Sequence, residues 1–99
     1  MNRYVVEFQA VSGKGDEAIA LLHEMKAYFQ EVHQKSLEIF YLAFGTPGTF
    51  QAMMDLDNLA QLDTLSQAIR HDPRYRALSE RVRGILVHSS MKTAVYYRL

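Results

Sequence analysis

LEIFYLAFGTPGTFQAMMDL, residues Leu37 to Leu56, reads as two strands joined by a short turn at Gly45-Thr46-Pro47-Gly48. Pro47 suits a turn position that needs no ladder donor. The second arm alternates. Phe50, Ala52, Met54 and Leu56 point one way, and Thr49, Gln51, Met53 and Asp55 the other, the pattern of a strand with one dry face. The first arm is apolar on both faces, with Leu37, Ile39, Tyr41 and Ala43 on one and Phe40, Leu42 and Phe44 on the other. An open antiparallel sheet needs only one dry face. The surplus predicts a second cover, and a homodimer is the expected form.

Working outward, Arg3 to Val11 also has period two, with Tyr4, Val6, Phe8 and Ala10 opposite Val5, Glu7, Gln9 and Val11. Ser12-Gly13-Lys14-Gly15 ends this strand. It lacks the spacing of a phosphate loop, and Asp16 stands where that loop needs a hydroxyl. Asp16 to about Lys35 reads as a helix. Its apolar stripe is Ala18, Leu22, Met25, Phe29 and Val32, flanked by Ile19 and Leu21, and its acidic first turn suits the helix dipole.

Beyond the hairpin, Asp57 or Asn58 caps a second helix with Leu59, Leu62, Leu65 and Ile69 on its apolar side. Asp72-Pro73 is the strongest local signal: a capping aspartate, then proline at the first helical position. The third helix runs to about Arg83, with Tyr75, Leu78 and Val82 inward and Arg74, Arg76, Arg81 and Arg83 largely outward. Gly84 ends it. Ile85 to Leu99 then alternates throughout and is expected as one long final strand. That strand would outrun its own sheet and offer its free end to a neighbouring subunit.

The order is β-α-β-β-α-α-β in a single domain, residues 1–99, with no linker or repeat. This is the ferredoxin-like α+β arrangement, an antiparallel sheet with helices on one face. Eleven basic residues balance eleven acidic ones, so no global charge points to nucleic acid or an anionic membrane surface. Cysteine is absent, which removes disulfides, thiolate catalysis and cysteine-ligated metal. No run approaches the length of a membrane span, and no signal peptide is recognisable. The expected location is cytoplasmic.

Three segments carry a resemblance: YVVEFQAVSGKGDEAIALL, FGTPGTFQAMMDLDNLAQLDTL and DPRYRALSERVRGILVHSSMKTAVYYRL. Through them the chain resembles the dimeric α+β barrel superfamily. The last two are most similar to its NIPSNAP-type branch, and antibiotic-biosynthesis-type monooxygenases are related barrels. The resemblance implies two sheets facing each other, a last strand reaching the partner, and a cavity between sheet and helices or within the barrel. It implies no cofactor. Haem-degrading relatives use an asparagine, a tryptophan and a ligand histidine, whereas this chain has no tryptophan. It has Leu78 and Ser79 where the histidine is expected, and Glu7 and Gln9 on the first strand.

The mixed sheet face supplies the candidate site. His88, Glu38 and Glu7 are the candidate acid–base groups. Gln9, Phe40, Gln51, Met53, Ser90 and Lys92 are the candidate ligand-binding residues. A buried set of this kind either pairs within an interface or lines a cavity for a small apolar ligand. No spacing among His88, Glu7 and Glu38 calls for a metal. Two functions follow. One is a NIPSNAP-like dimeric module that binds a small ligand or a protein. The other is a cofactor-independent monooxygenase or isomerase acting on a small apolar or aromatic substrate.

Overall fold

The computed structural model describes residues 1–99. In chain order it contains β1 (Asn2–Gln9), α1 (Gly15–His33), β2 (Leu37–Tyr41), β3 (Thr49–Leu56), α2 (Leu59–Arg70), α3 (Pro73–Arg83) and β4 (Lys92–Tyr97), with a single 3-10 turn at His88–Ser90. The strands form one antiparallel sheet in the order β2-β3-β1-β4. This is the ferredoxin-like order that the element sequence predicts.

The register sorts the sheet into two faces. Tyr4, Val6 and Phe8 of β1 lie beside Met54, Ala52 and Phe50 of β3. Leu37, Ile39 and Tyr41 of β2 continue the same rows. This dry face packs beneath the helices. Phe8, Phe50, Leu37, Met54 and Leu56 join Ala18, Leu21, Leu22, Met25, Tyr28, Phe29 and Leu78 in one buried cluster. Phe50 is only 2% exposed. Its ring lies 5.8 Å from Phe8 in a stacked pair and 5.1 Å from Tyr41 edge to face.

The buried stripe of α1 is Ala18, Leu21, Leu22, Met25, Tyr28 and Phe29. It differs from the expected stripe at its end. Val32 is 41% exposed and Tyr28 is fully buried, because the last turn of α1 faces the start of α3 rather than the sheet. There the Tyr28 hydroxyl donates to Asp72 Oδ2 at 2.5 Å. Asp72 Oδ1 accepts the Arg74 backbone N–H at 2.9 Å, so one carboxylate caps α3 and ties it to α1. Two of the arginines read as outward-facing also bridge these helices, Arg74 to Glu31 at 2.9 Å and Arg81 to Glu24 at 2.7 Å. Both pairs are largely exposed, so they orient the helices more than they stabilise them.

Helix α2 is held differently. Asn58 Oδ1 accepts the Gln61 backbone N–H, and Gln61 Oε1 accepts the Asp57 backbone N–H. That is a near relative of the capping box. No residue of α2 is buried.

Two expectations are corrected. The first arm of the hairpin ends at Tyr41, not Phe44. Its ladder closes with the bond from Leu42 N–H to the Thr49 carbonyl, and a looser loop follows. Gly45 and Gly48 have φ of 124° and 76°, conformations that glycine alone adopts without strain, and Phe44 is left 92% exposed.

The segment from Ile85 to Leu99 is not one strand. Leu86 makes an isolated bridge to Ala10, the chain turns at His88–Ser90, and β4 begins only at Lys92. The cause is local. Ser90 Oγ accepts the Gln9 backbone N–H at 2.8 Å and donates to the Val87 carbonyl, satisfying groups that a continuous ladder would have paired. Because β4 pairs from Glu7↔Lys92 to Asn2↔Tyr97, it ends level with β1 and does not outrun the sheet.

Candidate functional site

The face of the sheet away from the helices carries most of the residues predicted for a site. Pairing aligns Phe40, Gln51, Glu7 and Lys92 in one row across all four strands, and Glu38, Met53, Val5 and Ala94 in the next. Within the first row, Gln51 Nε2 donates to Glu7 Oε1 at 2.8 Å. A third row holds the Arg3–Asp55 fork, with Nε to Oδ1 at 2.8 Å and Nη2 to Oδ2 at 3.2 Å. The guanidinium holds the Asp55 carboxyl below the usual carboxylate range. Val5 is only 6% exposed, although it is outside the cluster under the helices. Phe40 and Tyr96 on this face are 48% and 60% exposed.

Gln9, Ser90 and His88 lie outside these rows. Gln9 spends its side chain on the Pro47 carbonyl, with Nε2 donating at 3.3 Å, and Ser90 is occupied at the turn beneath it. His88 is exposed within that turn. Glu38 sits on one edge strand, and His88 belongs to the segment beyond β1 at the opposite edge. At about 4.8 Å per strand, these two groups are roughly 14 Å apart in the sheet direction alone. The sheet therefore brings Glu7, Gln51, Lys92 and Phe40 together and separates Glu38 from His88. No three carboxylate or imidazole groups form a set that could hold a metal ion.

A cavity opens on the other side, between the sheet and the helices. Its volume is about 230 Å3, the share of roughly eight waters in the liquid. Tyr4, Val6, Phe8, Ala52 and Met54 form its floor, and Leu22, Met25 and Phe29 of α1 form one wall. Leu62, Leu65, Ser66 and Ile69 of α2 form another, with Leu37 of β2, Tyr75, Ser79 and Val82 of α3 and Met91 before β4 completing the lining. None of the nine predicted site residues is among them.

The cavity exists because α2 rests on the sheet through half-buried side chains without closing on it. Its polar groups are four hydroxyls, on Tyr4, Ser66, Tyr75 and Ser79, and no charged side chain lines it. Burial, with a smaller contribution from the neighbouring Tyr4, pushes the Tyr75 phenol above its ordinary value. Tyr75 thus stays a protonated donor at neutral pH.

One signal for this site was present in the sequence. Tyr75, Ser79 and Val82 recur at four and three residues, which puts two hydroxyls on the inward side of α3. Ala52 and Met54 were correctly assigned to the dry face, but no local pattern says that a dry face is incompletely filled.

The fold defines a class: a four-stranded ferredoxin-like α+β domain with its helices on one face and an open second face. Solved structures that share this fold include NIPSNAP domain proteins and an antibiotic biosynthesis monooxygenase. No family model and no curated protein sequence matches the chain. An uncharacterised NIPSNAP domain protein from Burkholderia xenovorans superposes with a TM-score of 0.83 at 14% identity, over 100% of this chain and 95% of its own. A NIPSNAP family protein from Agrobacterium tumefaciens gives 0.84 at 16% identity, over 99% and 92%. An antibiotic biosynthesis monooxygenase gives 0.77 at 12% identity, over 100% and 99%. At these identities the likeness establishes the shared fold.

Proposed function

We propose that this chain is a NIPSNAP-like binding module that takes a small apolar ligand between its sheet and helices. The observation that carries the reading is the apolar cavity of about 230 Å3. Pockets of this lining are the usual places for small ligands. An occupant of matching shape would gain dispersion contacts with this lining. Acid–base turnover is the weaker reading. The titratable side chains that line the cavity are two phenols, and Glu7, Glu38 and His88 stand outside it. A cofactor-independent monooxygenase or isomerase would have to work without them.

The test is to fill the cavity from its floor. Ala52→Leu should abolish enhancement of a solvatochromic apolar dye, or weaken its binding at least tenfold, while leaving the fold intact by circular dichroism. Unchanged dye binding in a folded Ala52→Leu variant would remove the cavity from the argument.

The module works as a homodimer in the cytoplasm on this reading. Support comes from the open face, where Met53, Phe40 and Tyr96 give an apolar surface interleaved with the Glu7–Gln51 and Arg3–Asp55 pairs. Exposed sheet faces of this kind call for a cover. No helix is long and apolar enough to cross a membrane. Light scattering at micromolar concentration should give the mass of two chains. Phe40→Glu should shift the equilibrium toward one chain by at least tenfold in Kd, because a second copy would have to bury an unpaired carboxylate. A wild-type monomer at that concentration would end the homodimer proposal.

A further inference from the structure

We infer that the cavity selects an uncharged ligand whose apolar body carries a carbonyl-type hydrogen-bond acceptor, with the Tyr75 phenol as a donor to it. This deepens the binding role proposed above and rests on it. The first observation is the lining. Side chains from seven segments of the chain meet at the cavity, and no lysine, arginine, histidine, aspartate or glutamate is among them. A carboxylate or ammonium entering it would lose its hydration and meet no countercharge, which is costly in an apolar site.

The second observation concerns the hydroxyls. Tyr4, Ser66, Tyr75 and Ser79 are half-buried, and none has a hydrogen-bond partner within the protein. Yet no buried side-chain polar atom is left unsatisfied. Both facts hold together only if these oxygens remain accessible, and all four residues line the cavity. Serines on helices can satisfy themselves on the preceding turn, as Thr64 does with the Ala60 carbonyl at 3.0 Å. Ser66 and Ser79 do not. Tyr75 lies one turn before Ser79 on the same side of α3, and both line the cavity. A phenol that remains protonated is first of all a donor, so the complementary group is an acceptor without charge: a ketone, aldehyde, ester or quinone oxygen.

The third observation is adaptability. Met25, Met54 and Met91 lie around the cavity, and thioethers mould themselves to flat aromatic as well as aliphatic bodies. The hydroxyls therefore set the choice of polar group, and the methionines leave the apolar body less restricted.

The test compares four probes that share one ring system: 2-acetylnaphthalene, 2-ethylnaphthalene, 2-naphthoate and 2-naphthylmethylammonium. They are titrated against the full-length protein at pH 7 by their own fluorescence. The ketone should bind tightest. The two ions should bind at least about tenfold more weakly, a difference of about 1.4 kcal/mol or more. Tyr75→Phe should reduce the preference for the ketone over the hydrocarbon to less than twofold while leaving the hydrocarbon's affinity unchanged. Ser79→Ala serves the same comparison if Tyr75→Phe does not fold. Naphthoate binding as tightly as the ketone would overturn the selectivity while leaving a binding cavity in place. So would a ketone that binds no better than the hydrocarbon. If none of the four binds, the binding role itself falls, and the selectivity falls with it.

Discussion

Phe50→Ala is expected to lower the stability of the folded chain by about 3–5 kcal/mol, the range for removing a large aromatic from a packed core. Phe50 sits where three strands meet. It pairs with Phe8 on β1 and with Tyr41 on β2, and its ring packs against both of theirs. The residue before it, Thr49, accepts the last bond of the β2–β3 ladder and donates its hydroxyl to the Thr46 carbonyl at 2.8 Å. Truncating Phe50 therefore removes buried apolar area and the packing that fixes the hairpin on β1. Small domains hold only about 5–15 kcal/mol in total, so the loss is a large fraction of the whole. Urea unfolding at fixed protein concentration measures it, since any self-association would make the midpoint concentration-dependent. A cost below about 1.5 kcal/mol would mean that the neighbouring side chains collapse into the space, and that Phe50 does not hold the sheet together.

Much of this fold is legible in local pattern. Asp72-Pro73 marks the start of α3 to the residue, because a cap and a fixed φ act within one turn. The alternation of Thr49–Leu56 gives both the strand and its dry face. The errors have physical sources too. Val87–Ser90 alternates like a strand, but period two cannot register a serine hydroxyl that offers the backbone a competing bond. Tyr28 was missed because a stripe drawn through Phe29 and Val32 assumes that α1 faces the sheet along its whole length. The repeat of Leu21-Leu22 in Tyr28-Phe29, seven residues later, was the available signal. The cavity had no signal at all as a cavity. It is made by how far α2 stands off the sheet, a distance that no single segment encodes. The mixed face was legible as a face, but which of its groups meet depended on strand order, and strand order set Glu38 and His88 at opposite edges.

Tyr28→Phe keeps the ring and removes one oxygen, and is expected to cost about 0.5–1.5 kcal/mol, the range for an ordinary hydrogen bond, since solvent screens the Asp72 charge. The ring is fully buried, within 5.2 Å of Phe29 and 5.8 Å of Tyr75 between centroids, so its packing is unchanged and the oxygen alone is tested. That oxygen serves two partners. Its proton goes to Asp72 at 2.5 Å, which leaves only a lone pair for His33 Nε2 at 2.9 Å. His33 must then carry its proton on Nε2 and donate to the phenol. The phenylalanine variant strands both groups at the junction of α1 and α3. The bond from Tyr28 holds the Asp72 carboxyl below its ordinary value; the Arg74 and Tyr75 backbone N–H groups and the His33 charge act in the same direction, against partial burial. A carboxyl depressed on folding adds stability above its unfolded value of about 3.9 and loses it as pH falls through the lower folded value. The Tyr28 phenol is raised by burial first and by Asp72 second. It adds stability below its unfolded value of about 10 and loses it as pH rises beyond that. The difference between wild type and Tyr28→Phe should therefore be widest between about pH 5 and 9 and narrow at both ends. Urea midpoints at pH 3, 7 and 10.5 would show it. A pH-independent difference would mean that the Tyr28 hydroxyl does not act through the charge of the Asp72 carboxylate.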